Sequence, residues 1–355
     1  MASPVGKPGS LSDGVNNSPK PSDLIIPYLM NHAPIFRKLY EVQQRVWESP
    51  KADRHFQNQQ SRADHASKKV AKYFFSMMRE IAKELHTATD AFSVISRGTQ
   101  RPRILDMCAA PGGFLATALE WCPEAQVLAF TLPLAEGGHR VLLGRDSRVK
   151  FKFLDITMLA EDMDMGVGLA NNEQCGKFLP RNIAPHYLFR LVLCDGQVLR
   201  TQKRPECREQ REACRLVSTQ LALGLEHTEP GGTMIILLHK LEEWDTIMLF
   251  YTSRKFSTIT LFKPKRFHAK RSSFYMVASD IHSKSPQATQ AVAKWKEIWN
   301  DATFKGPEEY RDTTHADERD VAGVLDEFGP GLIELGNAIW PTQEKALTKA
   351  FLCNK

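Results

Sequence analysis

The stretch ILDMCAAPGGF, residues 104–114, decides the reading of this chain. An apolar run ends at Asp106, small residues follow, Pro111-Gly112-Gly113 makes a turn, and Phe114 opens FLATALEWC, which has helical spacing. A strand that ends in a carboxylate and passes through glycines into a helix suits a cofactor-binding turn. Glycines let the backbone approach a ligand, free amides at the helix start face it, and the strand-end carboxylate can hold a cationic amino group. Asp106, Ala110, Pro111, Gly112, Gly113 and Phe114 are therefore candidate cofactor residues. No Walker lysine follows the glycines, which argues against a nucleoside triphosphate. A glycine turn without any ligand has the same pattern, so spacing alone leaves both readings open.

Working outward, strands and helices alternate. QVLAFTL (126–132), KFKFLDI (150–156), LFRLVLCDG (188–196) and TMIILLH (233–239) read as strands, and SFYMVAS (273–279) as an alternating or edge strand. Between them, 206–227 and 246–255 read as helices. Upstream, KKVAKYFFSMMREIAKEL (68–85) sets Val70, Phe74, Met77, Met78, Ile81 and Leu85 on one helical stripe. This rhythm predicts an α/β fold, a Rossmann-like, mostly parallel central sheet with flanking helices. Beyond Ser285 only helical patterns remain, with Trp295, Trp299 and Trp340 read as core anchors of a C-terminal helical extension. The expected organisation is a disordered tail (1–22), an N-terminal helical region (23–95), the α/β domain (96–284) and the helical extension (285–355).

The chain has 355 residues, 42% of them apolar, enough for a full core. Its net charge of +6 suits a polyanionic partner without pointing to one by itself. The seven cysteines form no C-x-x-C pair and no zinc-finger spacing, so reduced thiols and no structural metal are expected. The first residues lack a signal-peptide core and no stretch reaches 18 uninterrupted apolar positions, so a soluble intracellular protein without membrane contact is expected. Lys263-Pro264-Lys265-Arg266 is either a weak nuclear signal or a basic loop, which leaves cytoplasm and nucleus unseparated.

The string DMCAAPGGF resembles motif I of the FtsJ-type methyltransferases, most of whose members methylate the ribose 2'-hydroxyl of RNA. The resemblance runs over about residues 60 to 280 and implies a Rossmann-like domain that binds S-adenosylmethionine. It implies that Asp195, in LVLCDGQ, sits beside the methyl group as both a cofactor and a catalytic residue. Asp155 matches the position whose carboxylate accepts the adenine amino group. The pair Thr131-Leu132 is similar to the messenger-RNA cap ribose methyltransferases, with Thr131 where many relatives carry an acidic residue for the cofactor ribose and Glu136 a candidate substitute.

Enzymes of this family use a Lys-Asp-Lys-Glu tetrad to align the acceptor oxygen and remove its proton. By that resemblance the first lysine is one of Lys68, Lys69 and Lys72, with Lys72 preferred from its context. Leu237 stands at the second lysine position, with Lys240 three residues later, either reaching the pocket or opening the next loop beside Glu242 and Glu243. Ser273 stands where the glutamate belongs. Three explanations compete: a ribose methyltransferase with a rebuilt site, an O- or N-methyltransferase for a small molecule, or a non-catalytic scaffold that binds the cofactor or RNA.

Lys263, Lys265, Arg266, Lys270 and Arg271 crowd one stretch with Phe267 and His268, a composition that can track phosphates and stack a base. A second group, Arg200, Lys203, Arg204, Arg208, Arg211 and Arg215, alternates with Glu206, Glu209 and Glu212, and reads either as substrate contact or as ordinary helix surface. The acidic stretch 308–327 either repels RNA or docks as a helical lid.

Overall fold

The computed structural model describes residues 20–64, 68–96, 101–165, 178–306, 308–310 and 316–353. The tail expected over 1–22 lies outside them except for its last three residues, as does Cys175, and a helix has already begun at Pro21. The strands are β1 (Arg103–Asp106), β2 (Gln126–Thr131), β3 (Val149–Phe153), β4 (Phe189–Cys194), β5 (Thr228–His239), β6 (Thr258–Phe262) and β7 (Ser273–Ile281). They form one sheet in the order β3-β2-β1-β4-β5-β7-β6. The first five pair in parallel, whereas β7 runs antiparallel to both β5 and β6. The strand order reverses around β1, so the carboxyl ends of β1 and β4 open a crevice where a ligand fits without displacing core.

The helices are α1 (Pro21–His32), α2 (Pro34–Trp47), α3 (Pro50–Asp64), α4 (Lys68–Thr89), α5 (Gly113–Trp121), α6 (Glu206–Glu209), α7 (Glu212–Glu226), α8 (Trp244–Ser253), α9 (Pro286–Phe304), α10 (Glu318–Asn337) and α11 (Trp340–Leu347). Both faces of the sheet are covered, which is why the strands read as nearly continuous apolar runs. Ile104, Leu191 and Leu193 face α4 and α5, meeting Ile81, Leu85 and Leu115, while Leu105, Val192 and Cys194 face the opposite core with Leu223 of α7 and Ile247 of α8.

Three expectations are corrected. TITLF (258–262) is a seventh strand, too short and too half-exposed for periodicity to separate it from the preceding helix. SFYMVAS is no edge: β7 lies between β5 and β6, and its first six residues are all buried. The helix expected over 206–227 is two helices, α6 and α7, with Gln210 and Arg211 between them.

The two ends of the chain share one core. α1 packs on α10 and α2 on α11, and the Phe36 and Trp340 rings lie 5.1 Å apart. Trp299 is fully buried and donates its indole N–H to the Thr157 carbonyl at 3.0 Å, tying α9 to the loop after β3. Among the described residues no helix is long and apolar enough to cross a membrane.

Candidate active site

The crevice at the carboxyl ends of β1, β2, β4 and β5 is a cavity of about 460 Å³, in the range of small-molecule sites. The turn after β1 forms its floor. Asp106 is buried and accepts the Cys108 N–H at 3.2 Å, and the Ala109 N–H donates to the Phe130 carbonyl at 2.8 Å, which fixes the turn against β2. Gly112 holds φ near +100°, a conformation costly to any L side chain. A Cβ on Gly113 would collide with the Phe75 carbonyl of α4 and sit 2.9 Å from Met78 Cβ. This glycine lets α5 close on α4, so its immediate need is helix packing.

Asp195 directly follows β4 and lines the cavity with Asp106, close enough for its charge to act on it. Burial pushes the Asp195 carboxyl up to about 6, and burial followed by the negative charge of Asp195 pushes Asp106 up as well. A buried and a half-buried carboxylate with no basic partner beside them among the described residues make a strong demand for a cation. The loop beyond is fixed: the Gly196 N–H donates to Gln220 Oε1 at 2.9 Å, and a Cβ at Gly196 would run into the Cys108 sulfur.

At the other end, Thr131 is buried and lines the cavity with Leu132 and Leu134. Glu136 is exposed and absent from the lining; His139 and Arg140 line the wall instead. The double glycine before them carries that placement. A Cβ at Gly137 would strike the Thr201 carbonyl and one at Gly138 the Leu132 carbonyl, so the loop lies flat and turns its next two residues inward. Asp155 also lines the cavity, but its oxygens are largely engaged. Oδ1 accepts from the Thr157 N–H at 3.0 Å and hydroxyl at 2.8 Å, and Oδ2 from Arg208 at 2.8 Å and Gln202 at 3.2 Å. Only residual acceptor capacity is left for an adenine amino group.

The third wall is where the sequence reading departs most from the geometry. Lys72 is exposed and does not line the cavity, whereas Lys68, one helical turn earlier, does. Lys240 leaves the strand with φ near +47° and pairs with Glu243 at 2.7 Å, away from the cavity. Because side chains alternate along β5, Leu237 and His239 share a face, and it is these two that line the wall together with Ser273, His268 and Arg271. His239 pairs across the sheet with Ser273 and its Nε2 lies 2.9 Å from Gln197 Oε1.

The basic residues sort differently from the expectation. Lys263 is buried at 3% exposure, not on a loop surface, and donates to the Arg271 carbonyl and, at 2.8 Å, to the Ser273 carbonyl. Burial pulls its ammonium down to about 7. Lys265 and Arg266 are exposed, and Lys270 is half-buried with its ammonium 5.7 Å from the Phe351 ring centre. In the second group, Arg208 and Arg215 are buried partners of Glu212, Arg204 pairs with Glu209, and Arg211 stacks over Tyr310, so these four build structure. None of the described residues of α9, α10 and α11 lines the cavity, and Glu327 instead pairs with Arg254, so the described part of the extension forms no lid.

The family model of the FtsJ-like methyltransferases matches residues 81–281. Among solved structures, a Plasmodium falciparum protein assigned as a ribosomal RNA methyltransferase is similar at 15% identity and a TM-score of 0.38, covering 57% of this chain and 96% of that one. Human methyltransferase-like protein 13, in complex with SAH, is similar at 13% identity and a TM-score of 0.34, covering 67% and 98%. The N-methyltransferase NodS of Bradyrhizobium japonicum is similar at 15% identity and a TM-score of 0.34, covering 56% and 96%. At such identities the likeness concerns the fold alone. No curated protein matches the chain.

Proposed function

Because this chain belongs to the FtsJ-like methyltransferase family and takes S-adenosylmethionine as its methyl donor, we propose that it methylates a ribose 2'-hydroxyl of RNA. The donor supplies a methyl group activated on a sulfonium. The cavity suits it: Asp106 and Asp195 provide negative charge for its two cationic centres, and Phe74, Met77, Met78, Leu132 and Leu134 provide apolar wall that excludes water. Methyl transfer to oxygen is an in-line displacement, so the residues around Asp195 align the acceptor and move its proton.

The observation that carries the RNA reading is the aromatic and basic surface beside the cavity, where Tyr73 and Phe267 immediately precede the lining residues Phe74 and His268. Tyr73 is 56% exposed and meets Phe267 edge-on at 6.3 Å, and the Arg266 guanidinium lies 5.2 Å from the Phe267 ring centre. Exposed Lys265 flanks them, and Lys68, Arg140 and Arg271 continue the positive charge into the cavity. Aromatic faces interleaved with cations stack bases and hold phosphates, the mode by which unpaired RNA is bound.

The test is transfer of labelled methyl from S-adenosylmethionine to capped RNA, uncapped RNA and small-molecule extract, with Asp195→Asn as control. Label in RNA that depends on Asp195 supports the reading. Label confined to the extract replaces it with a small-molecule methyltransferase, and no label in any acceptor replaces it with a non-catalytic scaffold.

A further inference from the structure

Leu237 and Ser273 leave the acceptor wall without the charged pair expected there, yet that wall is not chemically bare. His239 lies two residues beyond Leu237 on the same face of β5 and directly opposite Ser273 across the β5–β7 ladder. Its hydrogen bonding fixes the ring. Gln197 Nε2 donates to the Gly196 carbonyl at 2.9 Å, so the amide oxygen is the end that faces the imidazole. An oxygen can only accept, so His239 Nε2, 2.9 Å away, must carry the hydrogen. The neutral ring then has its lone pair on Nδ1. Among the described residues nothing hydrogen-bonds to that nitrogen, and because it is not sealed away unpartnered in the core while His239 lines the cavity, we take it to be presented there. Gln197 is itself two residues from Asp195, so the loop that places the carboxylate also orients the imidazole.

We propose that His239 Nδ1 is the catalytic acceptor of the substrate hydroxyl proton, replacing the altered half of the tetrad, with Gln197 as its positioning residue. The inference rests on the hydroxyl-methylation reading above. The acceptor oxygen bonds to the methyl carbon as the carbon–sulfur bond breaks, leaving its electron pair on sulfur, while the hydroxyl proton passes to Nδ1 and from there to water. Burial, reinforced by Lys263, Arg271 and Lys240, holds the imidazole down at about 4. It therefore stays neutral throughout the working pH range. A weak base suffices, because an oxygen that is gaining a methyl group becomes far more acidic than an imidazolium. Lys263, Arg271, Lys240 and His268 are ionisable groups around it, Asp195 lines the same cavity, and the cations among them oppose its protonation in the ground state.

Two substitutions separate catalysis from support. Glutamine superimposes its amide nitrogen on Nε2, so His239→Gln keeps a donor for Gln197 but has no acceptor at the Nδ1 position. Asparagine places an acceptor near Nδ1 and loses the Gln197 bond. With labelled S-adenosylmethionine and whichever hydroxyl acceptor the wild type uses, His239→Gln is expected to lower kcat about 100-fold, leave donor affinity within about twofold, and be the more damaging change of the two. A kcat within about threefold of wild type in His239→Gln, or damage that follows loss of the Gln197 bond instead, overturns the proposal. Nitrogen NMR of the labelled imidazole at pH 7 needs no acceptor: the Nε2–H form is expected, and an Nδ1–H form or an imidazolium overturns the assignment even if no RNA is methylated. Methylation of a non-RNA hydroxyl that still depends on His239 overturns the RNA reading and leaves this one standing.

Discussion

Glu212→Ala is the perturbation whose size follows most directly from the structure. Glu212 is 1% exposed, accepts from Arg208 at 2.6 and 3.0 Å, Arg215 at 3.0 Å and Gln202 at 3.3 Å, and lies 3.1 Å from the Thr157 hydroxyl oxygen. With Asp155 it balances two buried guanidinium groups. Removing it leaves Arg208 paired with Asp155 but leaves Arg215, fully buried, with neutral acceptors: the Thr303 hydroxyl and the Thr157 carbonyl, both at 2.9 Å, and the Met158 sulfur at 3.5 Å. Breaking a buried pair from one side costs about 3–5 kcal/mol, chiefly the penalty of the stranded charge. At a urea slope of about 2–3 kcal/mol/M the unfolding midpoint is expected to fall by about 1–2.5 M. Donor affinity should fall with it, because the same network holds Asp155 at the cavity wall. The double change Glu212→Ala with Arg215→Met should recover much of the loss, since it removes the stranded charge. A single-variant loss below about 1 kcal/mol would refute the reasoning, because it would mean that water already reaches the guanidinium groups.

Further outcomes are expected. Gly113→Ala should destabilise the apo protein by about 1–3 kcal/mol through the forced separation of α5 from α4; equal stability with lost donor binding would assign the glycine to ligand approach instead. Asp195 is raised to about 6 from an ordinary 3.8, so the unfolded chain ionises first and the apo protein loses stability as pH rises between these values. The cationic donor reverses that preference: its affinity should weaken by about tenfold per pH unit below the Asp195 pKa, and calorimetry in buffers of different ionisation heat should detect protons released on binding near pH 6. Lys263→Met strips the donors from the Arg271 and Ser273 carbonyls and should cost about 1–3 kcal/mol of stability, read by urea unfolding.

Much of this arrangement was legible because it is local in sequence. The turn after β1, the carboxylates at the ends of β1 and β4, and the alternation of strand with crossover helix each lie within a few consecutive residues, and each appears where the pattern puts it. What escaped depends on pairing between distant segments. The edge strand β6 is short and half-exposed, so only its partner β7 identifies it. Lys263 looks like part of a surface cluster, and its burial follows from two carbonyls eight and ten residues away closing over it. Lys240 sits beside the site in sequence but leaves the strand in a left-handed conformation, while His239, one residue earlier, faces the cavity by strand parity. Counting by two from Leu237 would have found it. His139 and Arg140 carried a fainter signal, the double glycine that precedes them.

The most direct test of the central claim is where the methyl group lands. RNA labelled by this enzyme should be digested with alkali, which cleaves a phosphodiester only through a free 2'-hydroxyl. The account predicts label in alkali-resistant dinucleotides, abolished by Asp195→Asn. Label recovered in mononucleotides as methylated base would contradict the assignment of a ribose hydroxyl as acceptor.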